Sequence, residues 1–253
     1  MAGAPVTNRL QNASGAQSAE AANLRIGGLV PLSLTDYPGQ LSAVVFCQGC
    51  PWRCPYCHNP HLLEHRGPAE IAWPAVLAFL ERRRGLLDAV VFSGGEPTLH
   101  AGLAAAMRAV KNMGFAIGLH TAGIYPRRLG EVLPLVDWVG MDIKAPFSDY
   151  PRITGVAGSG ERALASARLI LASGVAHEFR TTVQAGLLSH EAVTEACETL
   201  AAMGTRHYAL QEYRPAGHAA EHPHPSGGHL PDRQLCDRLA VLFDSMALRR
   251  ASP

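Results

Sequence analysis

The 253-residue sequence holds no apolar run long enough to span a membrane. Its net charge is +1 with both signs mixed along the chain, so it lacks the one-sided basic footprint of a nucleic-acid-binding protein. Six cysteines are too few to staple a chain of this length as a small secreted scaffold. Residues 1–23 have no continuous apolar core. They are rich in Ala, Ser, Gly, Asn and Gln, and read as a flexible extension rather than a secretory signal or an anchor. No internal repeat is visible and no second domain is set off by a linker. Residues 24–253 are therefore expected to form a single domain that ends in a helix.

What the chain does contain is a concentration of thiols. Cys50, Cys54 and Cys57 stand at C-x3-C-x2-C within eight residues. Three thiolates so spaced can hold three irons of a cubane cluster and leave the fourth iron open to a second molecule. A bacterial electron-transfer ferredoxin orders its spacings differently and closes the site with a fourth cysteine. Zinc favours four ligands in two separated pairs. Cys47 could supply a fourth thiolate, but the three-residue middle gap is cramped for two knuckles, and Cys47 reads better as a shielded thiol. Cys197 and Cys236 share helical faces with Val193, Leu200, Ala240 and Phe243, and read as core. An iron–sulfur chain with no signal segment belongs in a reducing, oxygen-poor cytoplasm.

Strand-like runs alternate with helical ones. Leu41–Phe46, Leu87–Phe92, Phe115–Leu119, Trp138–Ile143, Phe179–Gln184 and His207–Gln211 read as strands. Pro74–Arg84, a stretch marked by Leu99, Leu103, Met107 and Val110, Arg127–Leu133, Glu161–Ala172 and Glu191–Met203 read as helices. Leu235, Leu239, Leu242 and Met246 have the spacing of a C-terminal helix. About six β/α units in series predict an α/β fold with a parallel sheet. Six are fewer than the eight of a closed barrel, so a partial, open (β/α)6 barrel is expected, with a doubly wound sheet as the alternative. In both architectures chemistry gathers at the C-terminal ends of the strands, where the cysteine loop falls.

A second motif, Ser93-Gly94-Gly95-Glu96-Pro97, follows the second strand. Its glycines permit close backbone approach or positive φ, and Glu96 brings one carboxylate to the rim. With 36 residues between Cys57 and Gly94, about one β/α unit, the two loops are expected to share that rim. The two motifs together resemble the radical S-adenosylmethionine enzymes. Cys50, Cys54, Tyr56 and Cys57 match that family's C-x3-C-x-aromatic-C hallmark, and Gly94, Gly95 and Glu96 match its Gly-Gly-Glu motif. The resemblance implies a 4Fe–4S cluster on Cys50, Cys54 and Cys57, with S-adenosylmethionine chelating the open iron and its amino group received by the glycine turn. It also implies one-electron cleavage to methionine and a 5′-deoxyadenosyl radical that takes a hydrogen atom. Tyr56 would supply a flat wall beside the cluster.

Within that family, Cys57-His58-Asn59-Pro60, Met141-Asp142-Ile143-Lys144 and Arg180-Thr181-Thr182 resemble the activating enzymes of glycyl-radical enzymes. Leu34-Thr35-Asp36-Tyr37-Pro38-Gly39 and Gln211-Glu212-Tyr213-Arg214-Pro215 resemble the anaerobic ribonucleoside-triphosphate reductase activating proteins. This implies that the chain installs a glycyl radical on that reductase, drawing electrons from a reduced flavodoxin- or ferredoxin-type donor. It implies further cofactor contacts at Thr121, Asp142, Lys144, Arg180 and Arg214. Asp142 and Lys144, two apart on a strand, share a face, where a lysine or arginine would offset the cofactor carboxylate. Residues 58–93 contain no cysteine, which excludes activases with a ferredoxin insert at that place. One departure is His120, where related activases often carry Asp; a cation site built on that Asp would lack that ligand here, and the sequence leaves open whether such a site exists. Two other functions compete. One is a radical enzyme acting on a small molecule such as a deazapurine precursor. The other is a structural zinc or electron-carrier protein, which would leave Gly94–Glu96 and the Asp142/Lys144 rim without a purpose. His218, His222, His224 and His229 fall in a Pro/Gly-rich loop with irregular spacing.

Overall fold

The computed structural model describes residues 21–184, 186–213 and 233–250. Eight strands form one sheet: β1 (Ile26–Ser33), β2 (Ser42–Cys47), β3 (Ala89–Gly94), β4 (Ala116–Thr121), β5 (Trp138–Asp142), β6 (Ala176–Val183), β7 (His207–Glu212) and β8 (Ser245–Arg249). They lie side by side in chain order. β1 runs antiparallel to β2, and β2 through β8 are all parallel. A doubly wound sheet reverses its strand order at a switch point, and this one never does. Six flat strands would spread over about 24 Å at their usual spacing. Yet the C-terminal ends of β2 to β7 all line a single cavity of ≈ 270 Å³, so the sheet curls around it. The sheet ends at β1 and β8, as an open, partial barrel does.

Local chemistry explains the elements. Ala43, Val44 and Val45 of β2 and Val90, Val91 and Phe92 of β3 are buried without alternation, as strands covered on both faces require. The crossover helices are α1 (Trp73–Glu81), α2 (Leu103–Asn112), α3 (Pro126–Val132), α4 (Tyr150–Thr154), α5 (Ser159–Ser173), α6 (His190–Ala202) and α7 (Arg233–Ala240). Proline opens α1 and α3, where its missing N–H costs nothing. The Ser189 hydroxyl caps α6 by accepting from the Ala192 N–H, and α5 stops at Gly174 with φ +71. α1 buries Trp73, Val76 and Leu80 against the sheet.

Three expectations change. The C-terminal helix stops at Ala240, and Met246 lies in β8, which pairs in parallel with β7. The i, i+4, i+7 spacing carried across two elements because strand pairing overrode local periodicity there. There are thus seven parallel strands rather than six. The segment ahead of Leu41, to which the sequence pattern assigns no element, contains the antiparallel strand β1. Packed chain also begins ahead of Leu24: Ala21 is fully buried and its carbonyl accepts from the Leu24 N–H at 3.0 Å. Residues 1–20 of the expected N-terminal extension, Arg214 and the histidine-rich loop lie outside the described residues.

Candidate active site

The cysteine loop leaves β2 and is held in shape before any ligand is considered. The Gly49 and Cys50 N–H groups donate to the Leu62 and Leu63 carbonyls at 2.7 and 3.0 Å, and the Arg53 N–H donates to Thr154 at the end of α4 at 3.0 Å. The Gln48 amide donates to Glu64 O at 2.7 Å. Trp52 is buried, with its ring edge-on to Tyr150 at 5.8 Å. Cys50, Cys54 and Cys57 all line the cavity; Cys47 is fully buried and does not. Among the described residues no three Cys, His, Asp or Glu side chains converge on one ion position, whereas a polynuclear cluster meets each thiol at a different corner. Burial, aided by the charge of Glu96, pushes the Cys50 thiol up to about 12. A metal must therefore displace protons to bind here.

The Gly-Gly turn is clamped to this loop. The Gly95 N–H donates to Cys47 O at 2.8 Å and the Glu96 N–H to Gly49 O at 2.9 Å. Gly94 sits at φ +100, and a Cβ on it would lie 2.6 Å from the Cys47 nitrogen; one on Gly95 would lie 2.3 Å from the Gly49 oxygen. The glycines are thus required by the approach of the two loops as well as by any ligand. Glu96 has no exposed surface and does not line the cavity. Its Oε1 accepts from the Thr98 N–H (3.1 Å), the Thr98 hydroxyl (2.6 Å) and the Thr121 hydroxyl (2.8 Å), while Oε2 accepts from the Ala122 N–H (3.0 Å). Burial still pushes its pKa up against these four bonds. The expected rim acceptor is instead a bracket that ties the β3 turn to the end of β4.

On the far wall the strand ends carry charge. Arg180 places its NH2 group 3.0 Å and Nε 3.1 Å from Asp142 Oδ1, and Lys144 Nζ lies 3.7 Å from Asp142 Oδ2. Burial alone would raise Asp142, but Arg180 and Lys144 outweigh it and hold the carboxyl at about 2. Burial works to discharge Lys144, and the acidic groups around it, Cys54 first, keep it charged well above its ordinary range. Two tyrosines grip the Lys144 backbone. Its N–H donates to the Tyr150 hydroxyl at 3.0 Å, and the Tyr56 hydroxyl donates to its carbonyl at 3.4 Å. The ammonium also lies 5.7 Å from the Tyr56 ring centroid, within reach of a cation–π attraction.

Of the expected residues, Cys50, Cys54, Tyr56, Cys57, Gly94, Gly95, Thr121, Asp142, Lys144 and Arg180 line the one cavity, and Glu96 stands behind it. Gln211, at the head of the segment that resembles the reductase activating proteins, lines the cavity as well. Sequence reasoning gave no lining role to Asp36 or Thr182. It also gave no role to His120, whose Nε2–H donates to Asp36 O at 2.8 Å while Nδ1 accepts from the Ser93 hydroxyl at 3.2 Å. Asp36 reaches the cavity because Tyr37 enters the curl of the sheet and stacks on Trp138 at 5.3 Å. Three thiols on one loop, a glycine turn and a fixed cationic wall around the same space form a donor set suited to an iron–sulfur cluster and a zwitterionic ligand.

Comparison with known proteins agrees. Residues 44–207 match the family described as the Radical SAM superfamily. A Methanocaldococcus jannaschii protein, named as a candidate glycyl-radical enzyme activating enzyme, is 33% identical over 199 residues, 75% of this chain and 80% of its own length. Pyruvate formate-lyase-activating enzyme of Clostridium pasteurianum is 36% identical over 142 residues, which cover 54% of this chain and 59% of that one. Among solved structures, Streptococcus suis SuiB bound to S-adenosylmethionine shares the fold with a TM-score of 0.60 at 13% identity. The likeness covers 81% of this chain but only about half, 48%, of SuiB. A family match through most of the sheet, joined to a relative aligned over three quarters of the sequence, means that the chain belongs to the radical SAM superfamily, as an enzyme that works with a 4Fe–4S cluster and S-adenosylmethionine.

Proposed function

We propose that this enzyme installs a glycyl radical on a partner protein, and that the partner is an anaerobic ribonucleoside-triphosphate reductase. The activase class is supported by the relatives of M. jannaschii and C. pasteurianum. The reductase rests on the resemblance of Leu34–Gly39 and of Gln211–Pro215 to the activating proteins of that enzyme. The observation that carries the reading is the single cavity shared by the cysteine loop, the glycine turn and the Asp142/Lys144/Arg180 wall.

In this reading Cys50, Cys54 and Cys57 hold the cluster. The N–H groups of Gly95 and Glu96 are committed to the cysteine loop, so there the turn has carbonyls rather than donors to offer a ligand ammonium. Lys144 and Arg180 face the ligand carboxylate, and Gln211 lies toward the adenine side. When bound, the cluster and S-adenosylmethionine supply one-electron cleavage of the sulfonium and a carbon radical able to take a hydrogen atom. Trp52 and Tyr56 wall the cavity and limit water beside the thiols. Hydrogen transfer needs the partner's glycine within about 3–3.5 Å of the reacting carbon. The sheet leaves its two ends unpaired with each other among the described residues, and the partner's glycyl segment would enter as extended chain. Electrons would come from a reduced flavodoxin- or ferredoxin-type protein in an anaerobic cytoplasm.

The test is anaerobic incubation of cluster-loaded enzyme, reductant, S-adenosylmethionine and the reductase, followed by electron paramagnetic resonance. The expected result is a glycyl doublet, absent with Cys50→Ala, Cys54→Ala or Cys57→Ala and present with Cys47→Ala. Turnover of a free small molecule with no protein radical would replace this reading with the small-molecule one.

A further inference from the structure

We propose that Gly140 and His120 together set the orientation of the Arg180 guanidinium, and that this orientation lets the pocket recognise a ligand carboxylate. The proposal rests on the preceding assignment of that carboxylate to Lys144 and Arg180, and it adds two positioning residues on neighbouring strands.

The sheet register explains why two strands are involved. Arg180 on β6 pairs with Asp142 on β5, and Gly140 on β5 pairs with His120 on β4. The Arg180 side chain does not stand straight up from its strand. It leans across β5 at Gly140, where its Cζ and NH1 would each lie only 2.9 Å from a Cβ, and its NH2 is 3.4 Å from the Gly140 carbonyl. Gly140 is not among the glycines with positive φ, so the backbone makes no demand for glycine there. What the position requires is empty space. Any side chain would also meet the Trp138 ring at 2.8 Å.

Having crossed β5, the guanidinium meets His120, with NH1 3.3 Å from Nε2. That nitrogen's proton is directed to Asp36 O, so the contact with Arg180 is packing rather than a hydrogen bond. The imidazole itself cannot turn. Asp36 holds one nitrogen, Ser93 holds the other, and Trp138 lies edge-on at 5.6 Å. Its neutral form, favoured by burial and by Arg180, lets it pack against a cation without repulsion. Arg180 is thereby stopped by His120 on one side and bonded to Asp142 on the other, with its side chain 9% exposed. Arg180, Asp142 and Lys144 then form a fixed cation–anion–cation row with one net positive charge at the cavity wall. A guanidinium already held in place loses little freedom when it meets a carboxylate.

The experiment compares two ligands on cluster-loaded enzyme under anaerobic conditions: S-adenosylmethionine and its decarboxylated analogue, each titrated calorimetrically. His120→Ala should weaken S-adenosylmethionine roughly five- to tenfold, less than the tenfold or more expected for outright loss of one charge-assisted hydrogen bond, and leave the analogue unchanged. His120→Gln, a neutral side chain able to donate to Asp36 O, should restore most of the preference. Gly140→Ala should behave like His120→Ala. If that variant fails to fold, the His120 pair and Arg180→Lys carry the test, with iron content confirming a loaded site. Equal weakening of both ligands by His120→Ala would reduce His120 to a structural role and overturn the proposal, as would no change in either. Loss of the carboxylate preference in these variants would support the proposal even if no glycyl radical forms on the reductase. Full preference kept in both Arg180→Ala and Lys144→Ala would remove the carboxylate assignment itself.

Discussion

A carboxylate with no exposed surface must be surrounded by donors, and Glu96 is met by four bonds from three residues. Glu96→Ala would leave the Thr98 and Ala122 N–H groups without that acceptor, at about 1–3 kcal/mol each. We therefore expect it to lower unfolding free energy by roughly 3 kcal/mol in urea, with Glu96→Gln costing less because its carbonyl keeps the Thr98 and Thr121 bonds. The role was hidden in the sequence because Thr121 is 25 positions away. His120 leads to a pH prediction. Burial and then Arg180 push its pKa from 6.5 down to about 3. Between those values the unfolded chain binds the extra proton, so stability falls as pH falls. Asp142, lowered to about 2, acts at the foot of that window and below it, its contribution being lost only as pH drops from 3.8 toward 2. His100, also lowered by burial, shares the upper window. His120→Gln should flatten unfolding free energy between pH 6.5 and 5, where one proton accounts for at most about 1.4 kcal/mol per pH unit. An unchanged slope would mean that His120 titrates freely in the folded protein.

Among the elements, the decisive contact is that of the glycine turn with the cysteine loop. Gly95→Ala must part the two, since the new carbon would overlap the Gly49 carbonyl. The sheet lies below that contact and should survive. The expected outcome is a folded protein by circular dichroism that retains less than half of its iron; full iron content would show that the loops yield without penalty. The parallel strands were legible because buried strands read as continuous apolar runs, and their ends moved by only a few residues. β1 was not legible. Its Gly27, Gly28 and Pro31 deplete strand propensity, and Val30 and Leu32 remain exposed. The β7–β8 pairing was hidden for a different reason, since Leu242 and Met246 completed a helical pattern by coincidence. The cysteine and glycine motifs were legible as a shared rim because one β/α unit separates them. The Asp36–His120 bond, 84 residues apart in sequence, left no local trace.

At the scale of the molecule, seven parallel strands wound in one direction bring chemically distinct loops to one end of a curled sheet. β8 finishes that sheet and covers the edge of β7, on which Gln211 reaches the cavity. Ending the chain at Ala240 should expose the β7 edge, lower the melting temperature and promote aggregation, as seen by light scattering. A truncated protein with unchanged melting and solubility would make β8 dispensable. The wider claim is that the radical chemistry of this cavity is directed at a glycine of another protein. Its most direct test uses reductase labelled with deuterium at the glycine α-carbons, incubated anaerobically with enzyme, reductant and unlabelled S-adenosylmethionine. The account predicts deuterium in the 5′-deoxyadenosine product, in proportion to the glycyl radical formed on the reductase. Abundant 5′-deoxyadenosine carrying no deuterium, with the reductase intact and present, would contradict it.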